Sequence, residues 1–190
     1  MKNAIIIHGC SSSPHEEIEC DPAKHWMPWV RDELMARNIP AKILRMPESW
    51  APDYDAWRKV LEKEAITEQS ILIGHSCGSA FLVRWLGDSK QKIDSLFLIA
   101  PWKIGTSSEA KKKFYDYQID KTIKSRVNRI VTFTADNEEE AGKRSLKIFH
   151  DFLGGKIIEL KGRGHYTEED MKTGEFPELL SEIVGSVSQG

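Results

Sequence analysis

The chain has 190 residues, 40% hydrophobic and 29% charged, a balance that excludes a disordered or fibrous protein and is large enough for one core without a disulfide or metal staple. Its 27 basic and 29 acidic residues are scattered and leave a formal charge of −2, so no strong field draws nucleic acid or an anionic membrane, and neither is an expected partner. Three cysteines, Cys10, Cys20 and Cys77, form no small disulfide framework, and the early apolar run is too short for a signal core or a membrane span; reduced thiols in a cytoplasmic protein are expected.

Short β-branched runs alternate with longer amphipathic stretches from the first residues onward. Strands are predicted at Ala4 to His8, Ala41 to Arg45, Ser70 to Gly74, Ser95 to Ala100, Arg129 to Thr134 and Lys156 to Leu160. Between and after them, apolar residues at three- and four-residue spacing predict helices at Trp26 to Arg37, Tyr54 to Ile66, Ser76 to Leu86, Glu138 to Leu153 and Glu175 to Val187. This alternation implies a single α/β domain over residues 1–190, with about six strands, a mostly parallel sheet and helices on both faces in three layers. Ile71 to Ile73 and Leu96 to Ile99 are apolar without alternation and read as central strands. A catalytic site would then open at the strands' C-terminal edge.

The stretch from Pro101 to Asn128 mixes Trp102, Phe114, Tyr115 and Tyr117 with lysines. Two readings stand open there: a small cap over the site, or a loop and one ordinary helix whose aromatics belong to the core. Lys111, Lys112 and Lys113 lie between Glu109 and Asp116 and read as a solvated helix face without function.

Gly74-His75-Ser76-Cys77-Gly78 is a G-x-S-x-G motif placed after an apolar strand and before a helical stretch containing Ala80, Leu82, Val83, Trp85 and Leu86. That setting is what a nucleophile elbow needs, because the serine must project from a sharp strand-to-helix turn with little bulk on either side. A helix N-terminus beneath it also aims backbone donors at developing negative charge. Ser76 is therefore the candidate nucleophile, and Cys77 is given a backbone role as an oxyanion donor.

Serine needs a histidine base, itself oriented by a carboxylate. His165 follows the last predicted strand in Lys161-Gly162-Arg163-Gly164-His165, where two glycines can loop the chain back over the sheet edge. His75 belongs to the elbow, His150 to a helix, and His15 and His25 to an early loop. Asp136 directly follows the fifth strand and is the candidate acid, with helix capping as its bland role and Glu138 as the fallback acid. The order Ser76, Asp136, His165 is that of an α/β hydrolase. The second oxyanion donor is assigned to the Cys10 amide in His8-Gly9-Cys10-Ser11. The crowd of His8, Cys10, His15, Cys20 and His25 raises a metal site, but it lacks C-x-x-C or H-E-x-x-H spacing, and no metal or other cofactor is expected.

With these residues in place the chain resembles, over nearly its whole length, the small serine hydrolases typified by retinoblastoma-binding protein nine and its bacterial esterase-like relatives. The likeness extends to His25-Trp26-Met27-Pro28-Trp29, Met46-Pro47 and Trp57. It implies a compact α/β-hydrolase core with little or no lid and hydrolysis of short acyl esters. One departure is Asn137-Glu138-Glu139-Glu140, where relatives commonly carry an apolar, proline-bearing turn. The leading expectation is a carboxylesterase-like serine hydrolase acting on a small-molecule acyl substrate through an acyl-enzyme, with thioesters and amides served by the same machinery. The rival is a catalytically silent protein that keeps the fold for binding.

Overall fold

The central apolar runs become strands because each is covered on both faces, while the last run, Lys156–Leu160 at the sheet edge, stays largely exposed. In the computed structural model, which describes residues 2–15, 25–104 and 108–185, the order is β1 (Asn3–Ile7), α1 (Trp26–Ala36), β2 (Ala41–Leu44), α2 (Tyr54–Leu61), β3 (Ser70–His75) and α3 (Cys77–Ser89). There follow β4 (Ile93–Ile99), α4 (Glu109–Tyr115), a 3-10 turn (Lys121–Ser125), β5 (Val127–Ala135), α5 (Glu140–Leu153), β6 (Lys156–Leu160), α6 (Glu168–Met171) and α7 (Pro177–Gly185). All five strand pairings are parallel, in the order β2-β1-β3-β4-β5-β6. This is the three-layer α/β-hydrolase architecture expected.

The pleat of β1 shows how the layers form. Ile5 and Ile7 face one core with Trp57 of α2, Phe81 and Leu86 of α3 and Phe149 of α5. Ala4 and Ile6 face the other, with Trp26, Val30 and Leu34 of α1 and Leu179 of α7. Trp57 is fully buried, packs edge-on against Phe81 and Phe114, and donates its Nε1–H to the Pro47 carbonyl at 2.8 Å. A truncation to Ala there would cost about 3–5 kcal/mol.

Element boundaries shift where tertiary packing overrides periodicity. The helix expected to run to Ile66 stops at Leu61, and Ile66 packs on the same core from beyond the turn, which explains its helical spacing. The helix after β5 begins at Glu140 rather than Glu138, because the Glu138 amide closes a turn on the Ala135 carbonyl at 3.2 Å. The expected end of the last helix at Val187 lies outside the described residues. In the stretch between β4 and β5, Phe114 and Tyr115 are buried in the core, so the described part of it is a loop and a core-packed helix. Among the described residues no helix is long and apolar enough to cross a membrane.

The chain runs outward from β1 to β2 on one side and, after returning to β3, outward through β4 to β6 on the other. The C-terminal ends of β1 and β3 therefore flank the point where strand order reverses, the place where crevices open in doubly wound sheets.

Candidate active site

Ser76 stands between β3 and α3 at φ 52° and ψ −119°, a conformation that costs a non-glycine residue of order 1–3 kcal/mol. The surroundings hold it there. Its amide donates to the Ile99 carbonyl at 2.9 Å, and its carbonyl accepts from Ser79 at 3.1 Å and from Trp102 at 3.2 Å. The motif's glycines are required sterically: a Cβ on Gly74 would lie 2.7 Å from the Ser79 nitrogen, and one on Gly78 would lie 2.5 Å from the His8 carbonyl oxygen. The tight turn thus also brings the end of β1 against the first turn of α3.

His165 reaches this serine from the loop after β6, its Nε2 lying 2.8 Å from Ser76 Oγ. The other ring nitrogen, Nδ1, lies 3.1 and 3.2 Å from the two carboxylate oxygens of Glu138. A carboxylate accepts only, so Nδ1 carries the proton and Nε2 presents a lone pair to the serine hydroxyl. The His165 amide donates to Asp170 Oδ2 at 2.8 Å. Its carbonyl accepts from His75 Nε2 at 2.8 Å, while Trp102 packs edge-on against the imidazole at a centroid distance of 5.2 Å. Burial, and then the neighbouring His165 and His25 rings, hold His75 well below its ordinary pKa of 6.5, so this donor is neutral.

The carboxylate at His165 is Glu138 and not Asp136. Asp136 continues the β5–β6 ladder, its amide donating to the Leu160 carbonyl at 3.1 Å, and its exposed carboxylate accepts from the Gly162 amide at 2.7 Å. Asn137 likewise accepts from the Gly164 amide at 2.9 Å. Both side chains shape the histidine loop. Only after the turn does the chain point a carboxylate inward, and Glu138, 5% exposed, also accepts from the Glu139 amide at 2.9 Å.

Cys10 and Cys77, both assigned backbone roles from sequence, are brought together with Cα atoms 5.7 Å apart and joined by a disulfide. This corrects the expectation of reduced thiols: 67 residues separate the pair, and only the approach of β1 to α3 makes them neighbours. The Cys77 amide is the first of α3 and has no intrahelical acceptor. Lys111 of α4 donates to the Ser11 carbonyl at 2.7 Å, so it fastens the loop after β1 rather than serving only as a solvated face. Two of the residues raised as metal donors are used otherwise: His8 Nε2 accepts from the Met46 amide at 2.9 Å, and Cys10 is in the bridge. Cys20 lies outside the described residues.

A family model described as Serine hydrolase matches residues 4–183. The chain belongs to this family. Among curated proteins it is similar to "Putative hydrolase YdeN" of Bacillus subtilis (strain 168), 24% identical over 178 residues that cover 89% of this chain and 88% of that protein. The solved structure of the ydeN gene product superposes with a TM-score of 0.85 at 20% identity, covering 100% of both chains. Est1E from Butyrivibrio proteoclasticus, solved with ferulic acid bound, gives 0.65 at 13% identity over 99% of this chain and 88% of its own. At these identities the likeness to solved structures shows the fold, while the family match makes the chain a hydrolase of the serine class.

Within this serine hydrolase, sequence reasoning placed Asp136 ahead of Glu138, its fallback acid, as the partner of His165, and missed the Cys10–Cys77 bridge and the buttress from His75. The signal for Glu138 was the departure at residues 137–140, where three successive glutamates stand in place of an apolar turn.

Proposed function

We propose that the protein hydrolyses small carboxylic esters by acyl transfer, with Ser76 as nucleophile, His165 as general base and Glu138 as the acid that orients it. The observation that carries this reading is the continuous chain from Ser76 Oγ to His165 Nε2 at 2.8 Å and from His165 Nδ1 to Glu138 at 3.1 Å. Ser76 Oγ would attack the ester carbonyl while His165 takes its proton, and the Cys10 and Cys77 amides would stabilise the oxyanion. His165 would then protonate the departing alcohol. In the second half, water attacks the acyl-enzyme by the same proton route and releases the acid. Glu138 keeps the imidazole in the accepting tautomer and balances the imidazolium.

A short ester is favoured because the described part of the segment over the sheet edge contributes only the seven-residue helix α4 and one 3-10 turn. Structural neighbours described as an esterase domain from a Rhodothermus marinus protein and a methylesterase from Arabidopsis are in keeping with an ester as the substrate. The Cys10–Cys77 bridge does not support the cytoplasmic location expected from reduced thiols, because cellular reductants keep cysteines reduced there. Fluorophosphonate labelling followed by turnover on a panel of esters, thioesters and amides tests the reading. Labelling of the wild type but not of Ser76→Ala, with esters turned over fastest, is expected. A folded wild type that neither labels nor turns over any of them would favour the binding protein instead.

A further inference from the structure

The Cys10–Cys77 bridge joins the two residues whose amides are assigned to the oxyanion hole, and no step of ester hydrolysis consumes it. We propose that this disulfide is a positioning element of the oxyanion hole and that its reduction by a dithiol lowers turnover, which makes the hydrolase responsive to the thiol–disulfide state around it. This rests on the acyl-transfer reading above.

The two donors belong to different segments, Cys10 to the loop after β1 and Cys77 to the first turn of α3. Their geometry relative to a single oxyanion therefore depends on how firmly those segments are joined. Next to the bridge the main chains already touch, since a Cβ on Gly78 would meet the His8 carbonyl oxygen at 2.5 Å. Past Cys10 the loop is tied noncovalently, by Ser11 Oγ to Ser49 Oγ at 2.8 Å and by the Ser11 carbonyl to Lys111 Nζ at 2.7 Å. The bridge is the only covalent tie between the two segments other than the main chain that runs from one to the other.

Its two ends differ in access. Cys77 is completely buried, whereas Cys10 is partly exposed at the mouth of the site. A thiolate of an external dithiol would attack Cys10 Sγ, breaking the S–S bond and expelling the Cys77 thiolate, which takes up a proton. The second thiol of the reagent then displaces Cys10 from the mixed disulfide. The products are two protein thiols and one oxidised dithiol, with two electrons passed to the bridge and none to the ester.

Complete loss of one oxyanion donor lowers kcat by about 10²- to 10³-fold. Ser49 and Lys111 keep the freed loop near, so a displacement rather than a loss is expected, worth about 10- to 100-fold in kcat with KM within about threefold. The test uses the full chain carrying Cys20→Ser, so that free thiols report the bridge alone. Non-reducing peptide mapping follows the Cys10–Cys77 link, while p-nitrophenyl acetate turnover and fluorophosphonate labelling rates are measured on the oxidised, dithiothreitol-reduced and reoxidised protein, each below its melting temperature. Expected are a linked oxidised form, slower turnover and labelling after reduction, recovery on reoxidation, and a Cys10→Ser/Cys77→Ser variant that matches the reduced protein and ignores the dithiol. The proposal is overturned if the oxidised protein lacks the link, if two thiols appear with kcat unchanged within twofold, if KM alone moves, or if the double variant still responds. Absence of labelling and turnover in every form would instead overturn the acyl-transfer reading itself.

Discussion

Glu138→Gln keeps the shape of the buried acid but gives it an amide that can donate to His165 Nδ1, which favours the tautomer with the proton on Nε2. In that tautomer the 2.8 Å contact to Ser76 Oγ no longer offers a lone pair to the serine proton, and the imidazolium formed on attack has lost its counter-charge. By analogy with amide replacement of a triad acid, kcat should fall by about 10⁴-fold, equal to about 5.4 kcal/mol of transition-state stabilisation. Asp136→Asn offers the contrast. Its carboxylate is exposed and holds only the Gly162 amide, at 2.7 Å, and Asn can keep that bond through its carbonyl oxygen. Turnover should stay within about threefold, because the change costs at most about 0.5–1.5 kcal/mol and acts on the loop, not the imidazole. Steady-state kcat and KM on p-nitrophenyl acetate, with melting temperatures for both variants, provide the measurement. A Glu138→Gln protein that turns over normally while Asp136→Asn collapses would refute the assignment and return the acid to Asp136.

Two further outcomes follow from the same geometry. Gly142→Ala, in the first turn of α5, would place a Cβ 2.7 Å from Glu138 Cδ, so the carboxylate must shift; kcat should drop by about 10- to 100-fold while Glu138→Gln loses little more when combined with it, and full additivity of the two would count against a shared cause. His75, held neutral by burial and by the neighbouring His165 and His25 rings, has a folded-state pKa well below 6.5. A depressed pKa means that the unfolded chain takes up the proton first, so this contribution to stability is present above about pH 6.5 and is lost as pH falls below it, at up to about 1.36 kcal/mol per pH unit. Denaturant unfolding between pH 7.5 and 5 should show that slope in the wild type and a shallower one in His75→Gln; identical slopes would rule His75 out as its source.

The layered fold was legible because its central strands are buried on both faces: Ile71 to Ile73 and Leu96 to Ile99 are apolar at every position, short, and set between longer amphipathic stretches. Ser76 and His165 were legible for a related reason, since each sits where glycines bracket a sharp turn, and a backbone constraint of that kind is written in residue type. Glu138 was legible only as the fallback to Asp136, because choosing between them depends on which residue the β5–β6 register leaves pointing inward, and register is a tertiary property. The bridge was hidden for the same cause: its partners are 67 residues apart, and nothing local marks Cys10 and Cys77 as neighbours. Ile66 misled in the opposite sense, supplying a helical period from outside the helix.

A carboxylate as deeply buried as Glu138 needs compensation, and the local chain supplies it from three directions. Its Oε1 accepts the Glu139 amide, its two oxygens face the His165 Nδ1 proton, and it sits just before the N-terminus of α5, where the helix dipole favours negative charge. Glu139 and Glu140, the next two residues, are exposed. A run of three glutamates thus divides into one buried carboxylate at His165 and two surface charges. The division is supported by Gly142, one helical turn on, where a Cβ would lie 2.7 Å from Glu138 Cδ and 2.8 Å from its Cγ and Oε1. Reach offers a test as well: Glu138→Asp, one methylene shorter, should draw the carboxylate back from His165 Nδ1 by up to about 1.5 Å, one carbon–carbon bond. The longer acid and the glycine beneath it are therefore two parts of one arrangement, and replacing either should loosen the hold on His165 without disturbing the sheet that carries it.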